Sequence, residues 1–268
     1  MLNINVVQPP YFAGENPDEA IARFLIKELE SVESGALIVL PEYSNAGGLS
    51  DAQRELRALT RAKKMLDGAA SVAKSRGAYV AINVLEEREG KLKNSTYLFD
   101  KGGKAAFVYD KIHLPPSETD LGVERGCGAC ICDLDGIRFG FMTCYDVYFN
   151  EQIEFIAKQK PDVILIPGYQ RAERTDIICA QAKLTAFRCN AFVARASYSM
   201  NDTERGGNSM IVAPDGQILK NLGKEVGSIS ATVDPKQKYM RTAGFGGGMI
   251  RNDDFINNGL YPTAFKEQ

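Results

Sequence analysis

The chain has 268 residues, of which 44% are hydrophobic, so it can bury a large core. Its 32 Lys and Arg residues nearly balance its 34 Asp and Glu residues, and no basic stripe of the kind that binds phosphate backbones occurs. Apolar runs stay far shorter than the roughly 20 residues that a membrane helix needs. These properties argue against nucleic acid and membrane as partners.

The N-terminus and the cysteines indicate a cytosolic protein. Residues 1–5 lead directly into a strand pattern, without the basic start and long apolar core of a signal peptide. Six cysteines without an export signal suggest reduced thiols. Cys127 and Cys130, with Cys132 nearby, have a spacing that can chelate zinc, but a closed site needs further ligands. We therefore favour small residues around a strand start and predict no metal.

Strand and helix patterns alternate along the chain and are mixed with hairpins. The predicted strands are 3–7, 37–41, 78–85, 95–99, 105–111, 131–134, 137–143, 163–166, 192–196, 209–212, 218–222 and 228–233. The predicted helices are 17–31, capped by Asn16, then 56–74, 151–159 and 176–188. This order predicts an α/β fold of two mixed sheets stacked face to face, with helices outside. Without a linker or a shift in composition, we predict a single domain over 1–268.

Three polar residues follow three different hydrophobic strands. Glu42 follows 37–41, Lys111 ends 105–111, and Cys144 follows 137–143. Buried strands deliver their last residues to one rim of a sheet, so these side chains can meet. A thiol is a good nucleophile only as its thiolate and needs a base and positive potential nearby. We expect Glu42 to be that base and Lys111 to stabilise an oxyanion.

These residues also carry a family resemblance. Leu-Pro-Glu-Tyr at 40–43, Tyr-Asp-Lys-Ile-His-Leu at 109–114 and Met-Thr-Cys-Tyr-Asp at 142–146 resemble the signatures of the nitrilase superfamily of carbon-nitrogen hydrolases. The segment 207–216 resembles the late hairpin of this family, so the likeness covers about residues 2 to 235. The resemblance implies a four-layer α-β-β-α sandwich that assembles as a homodimer or larger homo-oligomer. We also expect the reaction to need no cofactor.

The resemblance implies a second glutamate in the loop after the lysine. Glu118 and Glu124 compete for this role, and the nearness of Glu118 to Lys111 favours Glu118. His113 is the only histidine of the chain, so a dyad of His113 with Cys144 is the rival mechanism. The family pattern favours a structural role for this histidine.

Departures from the family bear on the substrate. Relatives of the ω-amidase type carry an arginine where this chain has Tyr148, which argues against a substrate with a free carboxylate. Cys144-Tyr145-Asp146 and the absence of tryptophan favour amides over nitriles. We expect Tyr43, Tyr145, Tyr148 and Tyr169 to form walls of the substrate pocket.

We therefore predict a hydrolase that converts a small amide to a carboxylic acid and ammonia through a cysteine thioester. An N-carbamoyl amide hydrolase that also releases carbon dioxide is the nearest alternative, and a non-catalytic binding protein on the same fold is another. The tail 236–268 matches the family poorly. Its glycine cluster at 244–248 lacks the following Lys-Ser/Thr of a phosphate loop. We predict that this tail packs on a neighbouring subunit or caps the pocket.

Overall fold

A computed structural model describes residues 1–11, 16–49 and 51–260, with side chains for all of these except 51–58. The strands in this part of the chain are β1 (Leu2–Gln8), β2 (Leu37–Val39), β3 (Tyr79–Arg88), β4 (Lys91–Phe99), β5 (Ala105–Asp110), β6 (Ile131–Leu134), β7 (Ile137–Phe141), β8 (Val163–Pro167), β9 (Phe192–Ala196), β10 (Met210–Val212), β11 (Ile218–Asn221), β12 (Gly227–Val233), β13 (Met240–Thr242) and β14 (Met249–Arg251). The helices are α1 (Pro17–Ser31), α2 (Asp51–Arg76), α3 (Pro116–Asp120), α4 (Asn150–Lys158), α5 (Thr175–Cys189) and α6 (Asn252–Asn258), with a short 3₁₀-helix at Cys144–Tyr148.

Two six-stranded sheets with matching topology form the centre of the protein. The first has the order β12-β1-β2-β3-β4-β5, and the second has the order β11-β10-β9-β8-β7-β6. In the first sheet β1, β2 and β3 run parallel and the outer pairings are antiparallel. In the second sheet β7, β8 and β9 are the parallel strands. Both sheets are therefore mixed, as the sequence predicted.

The hydrophobic side chains divide between the faces of the sheets. In β2, Leu37 and Val39 belong to the core that includes the second sheet, whereas Ile38 packs with the α1 residues Ile21 and Leu25. This alternation follows from the two-residue period of a strand. Helices α4 and α5 contribute to the core of the second sheet. The four-layer α-β-β-α sandwich is thus confirmed.

Several element boundaries differ from the prediction. Helix α2 begins at Asp51 rather than at residue 56, and β4 begins at Lys91 rather than at residue 95. Asn16 occupies the N-cap position of α1, but its side chain makes no capping hydrogen bond to the helix. The loop after Lys111 contains the short helix α3, which the sequence analysis missed. Helix α3 matters because it carries Glu118.

The described part of the C-terminal tail packs on α5 of its own chain. Asn190 Nδ2 lies 2.7 Å from Asp253 Oδ1, and Arg188 Nη1 lies 3.0 Å from Asn257 Oδ1. The hairpin of β13 and β14 and helix α6 were not predicted. Packing of this tail on a neighbouring subunit or over the pocket stays a prediction, and residues 261–268 lie outside the described part. No helix among the described residues is long and apolar enough to span a bilayer.

Candidate active site

The ends of three strands bring Glu42, Lys111 and Cys144 to one place. Glu42 and Lys111 follow β2 and β5 of the first sheet, and Cys144 follows β7 of the facing sheet. Lys111 Nζ lies 2.8 Å from Glu42 Oε1, and the Cys144 thiol makes a hydrogen bond with the Glu42 carboxylate. The folded chain therefore brings together the three side chains that the sequence analysis selected.

Lys111 is the centre of this cluster. Its side chain is 1% exposed, and its ammonium contacts carboxylate oxygens of Glu42 and Glu118 at 2.8 and 2.9 Å. Burial disfavours the charge of Lys111, but the two carboxylates outweigh burial and raise its pKa above the ordinary value. Lys111 is therefore a permanent cation next to the thiol.

Glu118 and Glu124 lie in different environments. Glu118 is buried on α3, where it accepts hydrogen bonds from Tyr43 Oη and Lys111 Nζ. Burial raises the pKa of Glu118 despite the attraction of Lys111. Glu124 lies at the surface, 3.1 Å from Lys91 Nζ. The structure thus brings Glu118 to the cluster and leaves Glu124 outside it.

Two buried asparagines that the sequence analysis missed hold the carboxylates in place. Asn94 Nδ2 donates to Glu42 Oε1 at 2.8 Å and to Glu118 Oε1 at 2.9 Å. Asn83 Nδ2 in turn donates to Asn94 Oδ1 at 2.7 Å. Asparagine is depleted in strands, so a polar residue inside the apolar run of β3 was a signal that could have found Asn83.

Cys144 lies on a sharp turn between β7 and the 3₁₀-helix. Its φ angle of +46° is uncommon for a residue with a Cβ and costs about 1–2 kcal/mol. The turn is fixed by a capping box in which Thr143 N donates to Asp146 Oδ2 at 2.8 Å. The Sγ atom also accepts a hydrogen bond from the backbone N–H of Tyr169. Strain at this position presents the thiol to the other side chains of the cluster.

The thiol of Cys144 is protonated in the resting site. Burial raises its pKa well above the ordinary value, and the negative charge of Glu42 raises it further. Lys111 and the Tyr169 N–H act in the opposite direction but do not outweigh burial. The thiolate must therefore form when a base removes the thiol proton. Glu42 is the carboxylate that is hydrogen-bonded to this thiol.

The only histidine is engaged elsewhere. His113 Nδ1 lies 3.0 Å from Asp146 Oδ1, and Nε2 lies 2.9 Å from Glu151 Oε1. Its ring stacks on Phe149 with centroids 3.9 Å apart. The hydrogen bond with Asp146 is the main cause that raises the pKa of His113. Both ring nitrogens thus have partners other than Cys144, which favours the structural role.

The four predicted pocket tyrosines separate into two pairs. The rings of Tyr43 and Tyr169 are buried and pack edge to face at 5.4 Å beside the cluster. Tyr145 and Tyr148 lie on the 3₁₀-helix with centroids 5.5 Å apart, and Tyr148 is 42% exposed. The hydroxyl of Tyr148 donates to Glu173. The first pair is connected to the cluster through the hydrogen bond of Tyr43 to Glu118.

A buried arginine, Arg195, lies near the thiol of Cys144. Arg195 on β9 donates to the carbonyl oxygens of Gly207 and Asn208 at 2.8 and 2.9 Å and to Gln170 Oε1 at 3.0 Å. Burial lowers the pKa of Arg195 to about 10, and Cys144 is the group that acts most strongly in the opposite direction. Because its hydrogen-bond partners are neutral, Arg195 adds uncompensated positive potential near the thiol.

Comparison with known proteins identifies the family. The model of the carbon-nitrogen hydrolase family matches residues 18–239 of this chain. The chain belongs to this family. The resemblance to the nitrilase superfamily that the three motifs indicated is thereby confirmed, and hydrolysis of carbon-nitrogen bonds, amides among them, is the reaction class.

Individual relatives are distant but cover most of the chain. A hydrolase from Schizosaccharomyces pombe is 25% identical over 247 residues, which cover 87% of this chain and 76% of the relative. A 2-oxoglutaramate amidase from Paenarthrobacter nicotinovorans is 27% identical over 248 residues, covering 87% and 83%. A mutant of an amidase of the nitrilase superfamily from Nesterenkonia AN1 matches with a TM-score of 0.74 at 18% identity, covering 88% of this chain and 91% of that one. The last comparison supports the fold.

The three cysteines between residues 127 and 132 lie in different environments. Cys127 is exposed, Cys130 is buried and Cys132 is half-buried. Within the described residues no group of three or more His, Cys, Asp or Glu side chains is arranged to hold a metal ion. The absence of a metal cofactor stays a prediction.

Proposed function

We propose that this protein hydrolyses the amide bond of a small molecule to a carboxylic acid and ammonia, with Cys144 as the nucleophile. The observation that carries the proposal is the convergence of one thiol, two carboxylates and one ammonium in a buried cluster. Membership of the carbon-nitrogen hydrolase family supports the same reaction class.

In the first half of the proposed reaction, Glu42 takes the proton of the Cys144 thiol while Sγ attacks the amide carbon. The carbonyl oxygen becomes an oxyanion, which Lys111 and the backbone N–H of Tyr145 stabilise. This N–H lies in the first turn of the 3₁₀-helix, where such groups lack acceptors within the helix. Collapse of the intermediate breaks the C–N bond, and Glu42 returns the proton to the leaving nitrogen.

In the second half, water hydrolyses the thioester. Glu42 takes one proton from water, the hydroxide adds to the thioester carbon, and the C–S bond breaks. The proton on Glu42 returns to the sulfur, so Cys144 is again a thiol and one carboxylic acid leaves. Glu118 and Asn94 act as positioning residues, because Glu118 accepts a hydrogen bond from Lys111 and Asn94 donates one to Glu42.

The relatives support this chemistry without defining the substrate. One relative is named a 2-oxoglutaramate amidase. In a mutant of the amidase from Nesterenkonia sp. AN1, acrylamide has added to the active site cysteine. An N-carbamoyl substrate would use the same groups here, and carbon dioxide release alongside ammonia would distinguish it. Assembly as a homodimer or larger and location in the cytosol stay predictions, which light scattering and cell fractionation would test.

The test is ammonia release from a panel of aliphatic, aromatic and carbamoyl amides. Wild type and Cys144→Ala are assayed side by side, with Cys132→Ala as the matched control because Cys132 is also a half-buried thiol. We expect release by wild type and Cys132→Ala and none by Cys144→Ala. Equal ammonia release by all three proteins, or no release by wild type from any amide of the panel, would contradict the proposal.

A further inference from the structure

A cavity opens beside the catalytic cluster. It has a volume of about 610 Å³ and is lined by Tyr169, Arg171, Ala172, Met200, Asp202 and Arg205. This size lies in the range of small-molecule sites, about 300–1,000 Å³. Two of its lining residues are cations and one is an anion, so the cavity carries an excess of positive charge.

Tyr169 connects this cavity to the reacting groups. Its ring lines the cavity and packs on Tyr43, whose hydroxyl donates to Glu118. Its backbone N–H donates to the sulfur of Cys144. Tyr169 is therefore the residue past which a molecule in the cavity would have to extend for its amide to contact Cys144.

Arg171 is fixed in position but not neutralised. Its Nη1 donates to Tyr11 Oη at 2.6 Å, and its guanidinium lies 4.7 Å from the ring centroid of Tyr169. These contacts hold the planar group against aromatic surfaces without using a carboxylate. Among the described residues, no acidic side chain forms an ion pair with Arg171 or Arg205, whereas the nearby Arg174 pairs with Asp176. Two guanidinium groups thus remain available to an anion.

We propose that the substrate is an amide that carries a carboxylate at its far end, and that Arg171 and Arg205 bind this carboxylate. Arginine suits the role because its planar fork matches a carboxylate with two parallel hydrogen bonds. The inference rests on the proposed amide hydrolysis and names its substrate class. It reverses the sequence-based expectation, which disfavoured a free carboxylate because residue 148 is tyrosine. The cations instead come from the loops that follow β8 and β9.

The first arm of the test compares amides of matched length. Monoamides of linear dicarboxylic acids, from succinamate to adipamate, are assayed against butyramide, valeramide and the methyl esters of the monoamides. We expect the kcat/KM of wild type to be about tenfold or more higher for the carboxylates, because one charge-assisted hydrogen bond contributes binding free energy of this size. Hydrolysis of the neutral amides with no preference for the carboxylates would overturn this inference and leave amide hydrolysis standing.

The second arm uses Arg171→Gln and Arg205→Gln, with Arg174→Gln as the control. Arg174 lies on the same loop and is also exposed, but it pairs with Asp176 and does not line the cavity. We expect the first two variants to raise KM for the monoamides about tenfold or more and to leave the neutral amides unchanged. An equal loss on both substrate types, or the same loss in Arg174→Gln, would contradict a carboxylate subsite.

A binding measurement separates this inference from the catalytic proposal. Calorimetry with Cys144→Ala needs no turnover, so it reports the subsite directly. Glutaramate should bind Cys144→Ala more tightly than valeramide does, and adding Arg171→Gln should remove the difference. Binding of glutaramate without hydrolysis by wild type would contradict only the proposed reaction. Equal binding of the two compounds would contradict the carboxylate subsite.

Discussion

The ammonium of Lys111 lies 2.8 Å from a carboxylate oxygen of Glu42, and the same carboxylate is hydrogen-bonded to the Cys144 thiol. Glu42 therefore stands between a cation and a proton donor. This contact brings together Glu42 and Lys111, which lie 69 residues apart in the sequence and have different roles in the proposed reaction.

Glu42→Gln tests whether Glu42 is the base. Turnover should fall by about 10²-fold or more, because the substitution removes a proton acceptor and preserves the shape. The variant should nevertheless react faster with iodoacetamide near neutral pH, since Glu42 is one of the groups that raise the pKa of Cys144. Mass spectrometry of modified Cys144 across a pH series would measure this. Retained turnover, or a thiol that titrates at higher pH, would contradict the assignment.

Lys111→Met should destabilise the protein by about 3–5 kcal/mol, because two buried carboxylates lose their cation. Urea unfolding monitored by circular dichroism measures the free energy of unfolding. Lys63→Met is the control, since Lys63 forms an exposed pair with Asp67 worth at most about 1 kcal/mol. Adding Glu118→Gln should recover part of the stability of Lys111→Met. A loss no greater than that of Lys63→Met would refute the central role of Lys111.

His113→Gln distinguishes a structural histidine from a catalytic one. Because folding raises the pKa of His113, protonated His113 contributes stability below its ordinary pKa of about 6.5, and this contribution is lost as pH rises through the folded value. The variant should therefore lose more stability at about pH 6 than at high pH, while ammonia release continues. A folded variant without turnover would support the rival dyad.

Arg195→Gln should raise the pKa of Cys144 further, because it removes positive potential near the thiol. The alkylation profile of Cys144 should move to higher pH, and Arg195→Lys should restore most of the change because it keeps the charge. Arg188→Gln is the control, since Arg188 is also buried but pairs with Glu154. An unchanged profile in Arg195→Gln would contradict an electrostatic role.

The helices and strands that the sequence predicted well are those with a strong hydrophobic pattern. The bounds of α1 match the prediction, and the parallel strands of both sheets lie where buried apolar runs occur. Helix α3 was missed because five residues cannot show a helical period. The hairpin of β13 and β14 was missed for a similar reason, since its strands have three residues each.

The amino-acid order alone shows that Glu42, Lys111 and Cys144 follow apolar strand patterns, because hydrophobic patterning and chain order are local properties. The contacts of Asn94 with Glu42 and Glu118, and the position of Arg195 near the thiol, exist only in the folded chain. Those relationships depend on sheet register and on the packing of one sheet against the other. No local pattern encodes a distance between strands of different sheets, so the surroundings of the thiol, unlike its position in the chain, required the folded protein.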